Sequence, residues 1–181
     1  MTTNAMTSPL SAAVKQGQLD IALALLNAGA DPNIPDQANI PPLISLLEHP
    51  AKEGREAKVE EVVMSLLAKG AKGDVQSNRG VMGRRSMLGH CCRRGMWNAV
   101  KVLLEKKSDI ITTTTTTTTT AAAIAAGPDG RTPLHDACAK DAPSDVLKQM
   151  LNLMPQQINT VDHTGMTPLH LCGNMESVVL L

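Results

Sequence analysis

Phenylalanine and tyrosine are absent from the 181 residues, and Trp97 is the single aromatic. A core of large rings is therefore excluded, as is a row of aromatics on which nucleic-acid bases could stack. Packing must come from Leu, Val, Ile, Ala and Met, which suits thin layers between short helices. Long apolar runs are also missing. The longest, residues 21–26 and 121–126, have six residues each, too few for a signal-peptide core or a membrane span. The expectation is an intracellular protein, cytoplasmic or nuclear, with no membrane insertion. Cysteine is scarce, at four residues, and the adjacent Cys91 and Cys92 could pair only in a strained ring, so no disulfide framework is expected.

Motifs that would carry chemistry are lacking as well. There is no CxxC or HxxxH pair, and the glycines near residues 79–83 form neither GxGxxG nor GxxxxGK[ST]. His135 with Cys138, His170 with Cys172, and His90 with Cys91 and Cys92 are the groups nearest to a metal set. The two histidines of the first pairs recur with a motif described next, which explains them without a metal. No oxyanion-loop motif accompanies any Cys/His combination. Neither catalytic residues nor a cofactor or metal are expected.

What is present is repetition. Thr-Pro-Leu-His stands at Thr132–His135 and again at Thr167–His170, 35 residues later. Ser8-Pro9-Leu10, Pro41-Pro42-Leu43 and Ser86-Met87-Leu88 fill the same slot less faithfully, with slot-to-slot spacings of 33, 45, 46 and 35. A period in this range marks stacked supersecondary units. An apolar stripe at i, i+1, i+4 and i+5 recurs independently as Ile21/Ala22/Leu25/Leu26, Val62/Val63/Leu66/Leu67, Ala99/Val100/Leu103/Leu104 and Val146/Leu147/Met150/Leu151. Four helices thus share one buried face.

In the first and third units the stripe begins 13 residues after the slot, which leaves room for one helix, a turn at Gly17 or Gly95, and a second helix. Thr132 and Thr167 are placed to cap the first helix, with Pro at its first position and Leu inward. Second helices should end at Gly29 and Gly70, where a left-handed glycine closes a helix. Lys107 holds that place in the third unit, and a left-handed non-glycine costs about 1–2 kcal/mol, so a looser or differently shaped end is expected there.

On the doubled TPLH, the LLNAGADPN end of the first unit and the DGRTPLHDAC start of the fourth, the chain resembles the ankyrin-repeat family. The resemblance covers residues 8–181 and is strongest in the first and fourth units. It implies an all-α solenoid of helix-turn-helix units with projecting β-hairpin or loop fingers. The implied function is recognition of a protein partner by fingers and first helices, a scaffold or adaptor and not an enzyme. The expected organisation is a tail at 1–7 and repeats at about 8–40, 41–85, 86–131, 132–166 and an incomplete 167–181. Because Leu180 and Leu181 end the chain without a polar cap, the expectation is a fragment, a truncated gene model or one part of a longer chain, and the alternative functional reading is a regulatory or targeting segment of a larger enzyme.

Two insertions stand out. The charged segment 49–60 should lengthen the connection between the two helices of the second repeat. The third repeat carries nine consecutive threonines, residues 112–120, and then an alanine-rich run to 126. A homopolymer of β-branched residues specifies no register, and a disordered finger loop is expected over 112–126. Asn33 resembles the asparagine that intracellular oxygenases hydroxylate in some ankyrin repeats, but its place at the end of LLNAGADPN reads first as a finger turn.

Formal net charge is zero, yet it is segregated: −3 over residues 1–78, +7 over 79–107 and −4 over 108–181. The basic block is candidate landing ground for an acidic partner, with the acidic flanks of the same chain as the other carboxylate source. Arg79, Arg84, Arg85, His90, Arg93, Arg94 and Trp97 are its candidate binding residues, joined by Arg131, Asp136 and Lys140 of the fourth repeat. Nucleic acid is the weaker reading, since no helix-turn-helix, zinc-finger or RRM pattern accompanies the charge.

Overall fold

The computed structural model of the chain describes residues 8–48, 54–72, 86–113 and 126–173. It contains eight α-helices and no strand among the described residues, in two units, Met1–Gly73 and Asp74–Leu181. The first unit holds α1 (Pro9–Lys15), α2 (Leu19–Asn27), α3 (Pro42–Glu48) and α4 (Glu56–Ala68). The second holds α5 (Met87–Arg94), α6 (Trp97–Thr113), α7 (Pro133–Ala139) and α8 (Ser144–Leu153), followed by single 3-10 turns at Pro155–Gln157 and Pro168–Leu171.

Within each unit the helices pair and the pairs stack. In the first, α1 packs on α2 and α3 on α4, while α1 lies on α3 and α2 on α4. In the second, α5 packs on α6 and α7 on α8, while α5 lies on α7, α6 on α8, and α7 on the Pro168–Leu171 turn. The reason is visible in the slot leucines: Leu10, Leu43, Leu88 and Leu134 are all buried, each inserted where first helices meet. Leu169, the fifth of the set, is 44% exposed.

The stripes behave as expected in α4 and α6, where all eight positions are buried. In α2, Ala22 and Leu26 are buried but Ile21 is 49% exposed, because α2 packs on α1 and α4 and its remaining face meets solvent. Ser8 and Ser86 also cap their helices, with side chains that accept from the N–H of Ser11 and Gly89 at 3.0 and 3.2 Å. Gly29 and Gly70 close the second helices with φ of 91° and 88°.

In the first, third and fourth repeats the turn inside the pair falls nine residues after the slot. Gly17 and Gly95 take it with φ of 69° and 71°, and in the fourth repeat Asp141 takes it with φ of 50°, a left-handed geometry open to aspartate at modest strain.

Three expectations change. The charged insertion is shorter than expected, because α4 begins at Glu56 and absorbs its second half. At Lys107 the end is differently shaped and not looser, since α6 runs on to Thr113. The physical reason is a comparison of costs: a left-handed lysine costs about 1–2 kcal/mol, whereas a helical threonine costs only about 0.7 kcal/mol or less relative to alanine. Continuing the helix is the easier course. The fifth repeat, finally, opens with one 3-10 turn in place of a first helix. Most of the threonine run and the last eight residues, 174–181, lie outside the described residues.

Candidate functional site

Among the described residues, the fingers, the segments joining one helix pair to the next, are loops built around aspartate. In the first, the Asp36 N–H donates to the Ile40 carbonyl and the Asn39 N–H to the Asp36 carbonyl, so the chain reverses over four residues with Asn39 left-handed at φ 59°. Asp36 Oδ1 fills the inside of the turn, accepting from Ala38 N–H at 2.8 Å and Ile40 N–H at 3.0 Å. The finger before the fifth repeat repeats the plan. Asp162 Oδ1 accepts from Thr164 N–H at 2.8 Å, Met166 N–H at 3.1 Å and the Thr164 hydroxyl at 2.5 Å, with Gly165 as the left-handed residue.

The finger before the fourth repeat has Gly127 at the aspartate position. Its reversal is held instead by Asp129, whose Oδ1 accepts from Arg131 N–H at 3.2 Å. No spacing argument drew attention to these aspartates, although a D-x-x-[NG] signature stands at Asp36-Gln37-Ala38-Asn39 and Asp162-His163-Thr164-Gly165.

Cations elsewhere in the unit reach the aspartate of each described finger. Lys15, the last residue of α1, meets Asp36 Oδ2 at 3.2 Å, and Arg93, one residue from the end of α5 and seven after its slot just as Lys15 is, meets Asp129 Oδ2 at 3.4 Å. Arg131 Nε reaches Asp162 Oδ2 at 3.2 Å, tying one finger to the next. Burial works against ionisation of Asp36, but the bonds from Ile40 N–H, the Lys15 ammonium and Ala38 N–H outweigh it and hold the carboxyl below the usual range. For Asp162 the hydroxyl of Thr164 is the largest influence, joined against desolvation by the N–H groups of Met166 and Thr164 and by Arg131, and the carboxyl is held well below the ordinary value.

The TPLH histidine completes the lock. Thr132 N–H donates to His135 Nδ1 at 3.2 Å, and the Thr132 hydroxyl lies 2.8 Å from the same nitrogen. An N–H can only donate, so Nδ1 is the bare nitrogen and Nε2 carries the proton that reaches the Met166 carbonyl at 3.0 Å. His135 is fully buried, and desolvation lowers its pKa despite the Met166 carbonyl and nearby carboxylates. The histidine spends both nitrogens on architecture. In the first unit Asn33 makes a comparable stitch: its Nδ2 donates to the Gly70 carbonyl at 3.1 Å and its Oδ1 accepts from Lys72 N–H at 3.1 Å.

The candidate binding residues divide accordingly. His90 and Asp136 are buried, at 6% and 3% exposure, and so cannot present their side chains as binding residues in this conformation; both sit on first helices at faces taken up by packing. Arg93 and Lys140 are exposed, and Arg94, Trp97 and Arg131 are half-buried. Trp97 opens α6 beside Gly95, whose missing Cβ would stand 3.9 Å from the indole nitrogen. Arg93 and Arg131 each hold a finger carboxylate, so part of the basic charge is spent within the chain. Arg79, Arg84 and Arg85 lie outside the described residues.

Among the described residues no group of three or more His, Cys, Asp or Glu side chains converges as a metal site would require, and no helix is long and apolar enough to cross a membrane. No curated protein matches the chain. The family model described as ankyrin repeat matches residues 7–37, the stretch that contains the α1–α2 pair and the Asp36 that anchors the first finger. The α1–α2 pair with its finger is thus an ankyrin repeat, and the helix pairs of the second unit follow the same plan.

Proposed function

We propose that the chain is a non-catalytic protein-interaction module, a scaffold or adaptor whose repeats stack as a solenoid and present fingers and first helices to a protein partner. Ankyrin repeats generally mediate protein–protein interaction. The observation that carries the reading further is the construction of the fingers. Buried Asp36 and Asp162 satisfy the turn backbone from within, while Gln37, Asn39, His163 and Thr164 stand exposed at the tips. Recognition side chains thus rest on a turn already fixed, and the ordering cost of binding is reduced.

The partner this surface fits is an acidic protein segment. Arg93 is 57% exposed in its side chain and holds Asp129 at a long 3.4 Å, a contact of the kind that contributes little at a surface and that a partner carboxylate can share. Lys140, at the end of α7, is exposed. Affinity purification with the full chain as bait, beside a variant carrying Arg93→Glu and Lys140→Glu, tests this. Partners released by salt and lost from the variant are expected; partner recovery that is equal in both and insensitive to salt would overturn the acidic-partner reading.

A further inference from the structure

Two of the four cysteines meet at the junction between α7 and the Pro168–Leu171 turn. Cys138 is fully buried on α7, which packs on that turn, and Cys172 follows the turn directly. Cys172 is half-buried, and its own Sγ donates to the Pro168 carbonyl at 3.5 Å. Other contacts fix the same junction. His135 Nε2 holds the Met166 carbonyl at 3.0 Å, and the backbone at Gly173 runs so near the end of α7 that a Cβ there would lie 2.8 Å from Asp141 Oδ1. Cys91 and Cys92, by contrast, are both buried as neighbours on α5.

We propose that Cys138 and Cys172 form a redox modification site, which a low-molecular-weight disulfide of the glutathione type closes into an intramolecular disulfide joining the fourth repeat to the fifth. The more accessible Cys172 reacts first. Its thiolate attacks one sulfur of the disulfide RSSR, forming a mixed disulfide and expelling RS⁻, which takes up the proton Cys172 released. Cys138, as thiolate, then attacks the Cys172 sulfur and expels the second RS⁻, which becomes RSH with the proton from Cys138. The two protein thiols lose two electrons and two protons, and RSSR is reduced to two RSH. Burial pushes the Cys138 thiol up, and its neighbour Cys172 adds to this, so Cys138 is the poorer first nucleophile and its attack on the adjacent mixed disulfide, through a small thiolate fraction, is the slow step.

The test treats the full chain with oxidised glutathione, blocks free thiols, and digests with trypsin without reduction. Residues 132–140 and 149–181 are separate tryptic peptides with one cysteine each, so a link between them has a single meaning. That cross-linked pair is expected from the wild type, and a reductant should abolish it. Cys138→Ala should instead retain glutathione on Cys172. Wild type carrying persistent glutathione on Cys172, oxidation confined to Cys91 and Cys92, or no reaction at all would each overturn the proposal. Should Cys138→Ala fail to fold, alkylation decides the matter on the wild type alone: Cys172 labelling must be lost after oxidation without glutathione mass remaining on the chain.

Discussion

The Nε2 of His135 donates to the main-chain carbonyl of Met166 at 3.0 Å, so that one side chain of α7 holds the following finger by its backbone. The same ring accepts the N–H of Thr132 that precedes its own helix. Replacing His135 by Ala leaves a buried N–H and a carbonyl without their partner, which costs about 1–3 kcal/mol. Urea denaturation at neutral pH should show that loss as a lower midpoint. It should also show the effect of pH. With the folded pKa held below the ordinary 6.5 by desolvation, the unfolded chain binds more protons just below that value. Stability from this residue is therefore present above about pH 6.5 and lost as pH falls toward the folded pKa, a slope that the alanine variant should lack.

Asp162 supports its finger through acceptor bonds to Thr164 and Met166, and only an ionised carboxylate accepts all of them while also facing Arg131. Its depressed pKa, like that of Asp36, means that the contribution is intact above the usual carboxylate range near 3.8 and disappears as pH falls through the folded value. Asp162→Asn should speed amide hydrogen exchange at Thr164 and Met166 and flatten the acid limb of the stability curve. Unchanged exchange at both amides would show that the carboxylate does not organise the turn.

The repeating parts of this fold were legible because they recur: the slot, the stripe and the turn nine residues on each give a position several chances to be read. What escaped was carried by single residues. Asp141 stands in the turn that Gly17 and Gly95 occupy, and nothing in its neighbours announces a left-handed aspartate. The overrun of α6 past Lys107 follows from weighing two unfavourable conformations, a comparison that motif matching does not make. His90 and Asp136 look like surface residues by type, but α5 packs on both α6 and α7, and α7 on α5, α8 and the Pro168–Leu171 turn, so polar residues on these helices are enclosed. The finger aspartates were visible all along as D-x-x-[NG], but their role needs the backbone reversal to be seen.

Gly130 and Gly165 are both left-handed, with φ of 75° and 79°, yet they should respond differently to alanine. At Gly165 nothing lies within 4 Å of an added Cβ, and only the conformational cost applies, about 1–2 kcal/mol. At Gly130 the Cβ would meet the His163 ring at 2.6 Å and the His163 main-chain nitrogen at 2.9 Å. The ring can rotate away but the backbone cannot. That nitrogen also donates to the Asp129 carbonyl at 3.0 Å, so relief of the clash breaks the contact between the two fingers. Gly130→Ala should therefore lower the urea midpoint more than Gly165→Ala does, and should also raise exchange at His163. Equal losses would mean that the fingers are not held together there.

Asn33 joins the end of α2's repeat to the next through two bonds of opposite sense, donating to the Gly70 carbonyl and accepting from Lys72 N–H. The site is exposed, so water replaces much of what is lost, and each bond contributes about 0.5–1.5 kcal/mol. Asn33→Ala removes both. Asn33→Asp keeps the acceptor for Lys72 but points a carboxylate oxygen at the Gly70 carbonyl, where a donor is needed. Hydrogen exchange at Lys72 separates the two changes: fast in the alanine variant, near wild type in the aspartate variant, with both lowering the midpoint. If Lys72 exchanges equally fast in both, its amide is held by something other than the Asn33 side chain, and the stitch between these two repeats rests on the Gly70 bond alone.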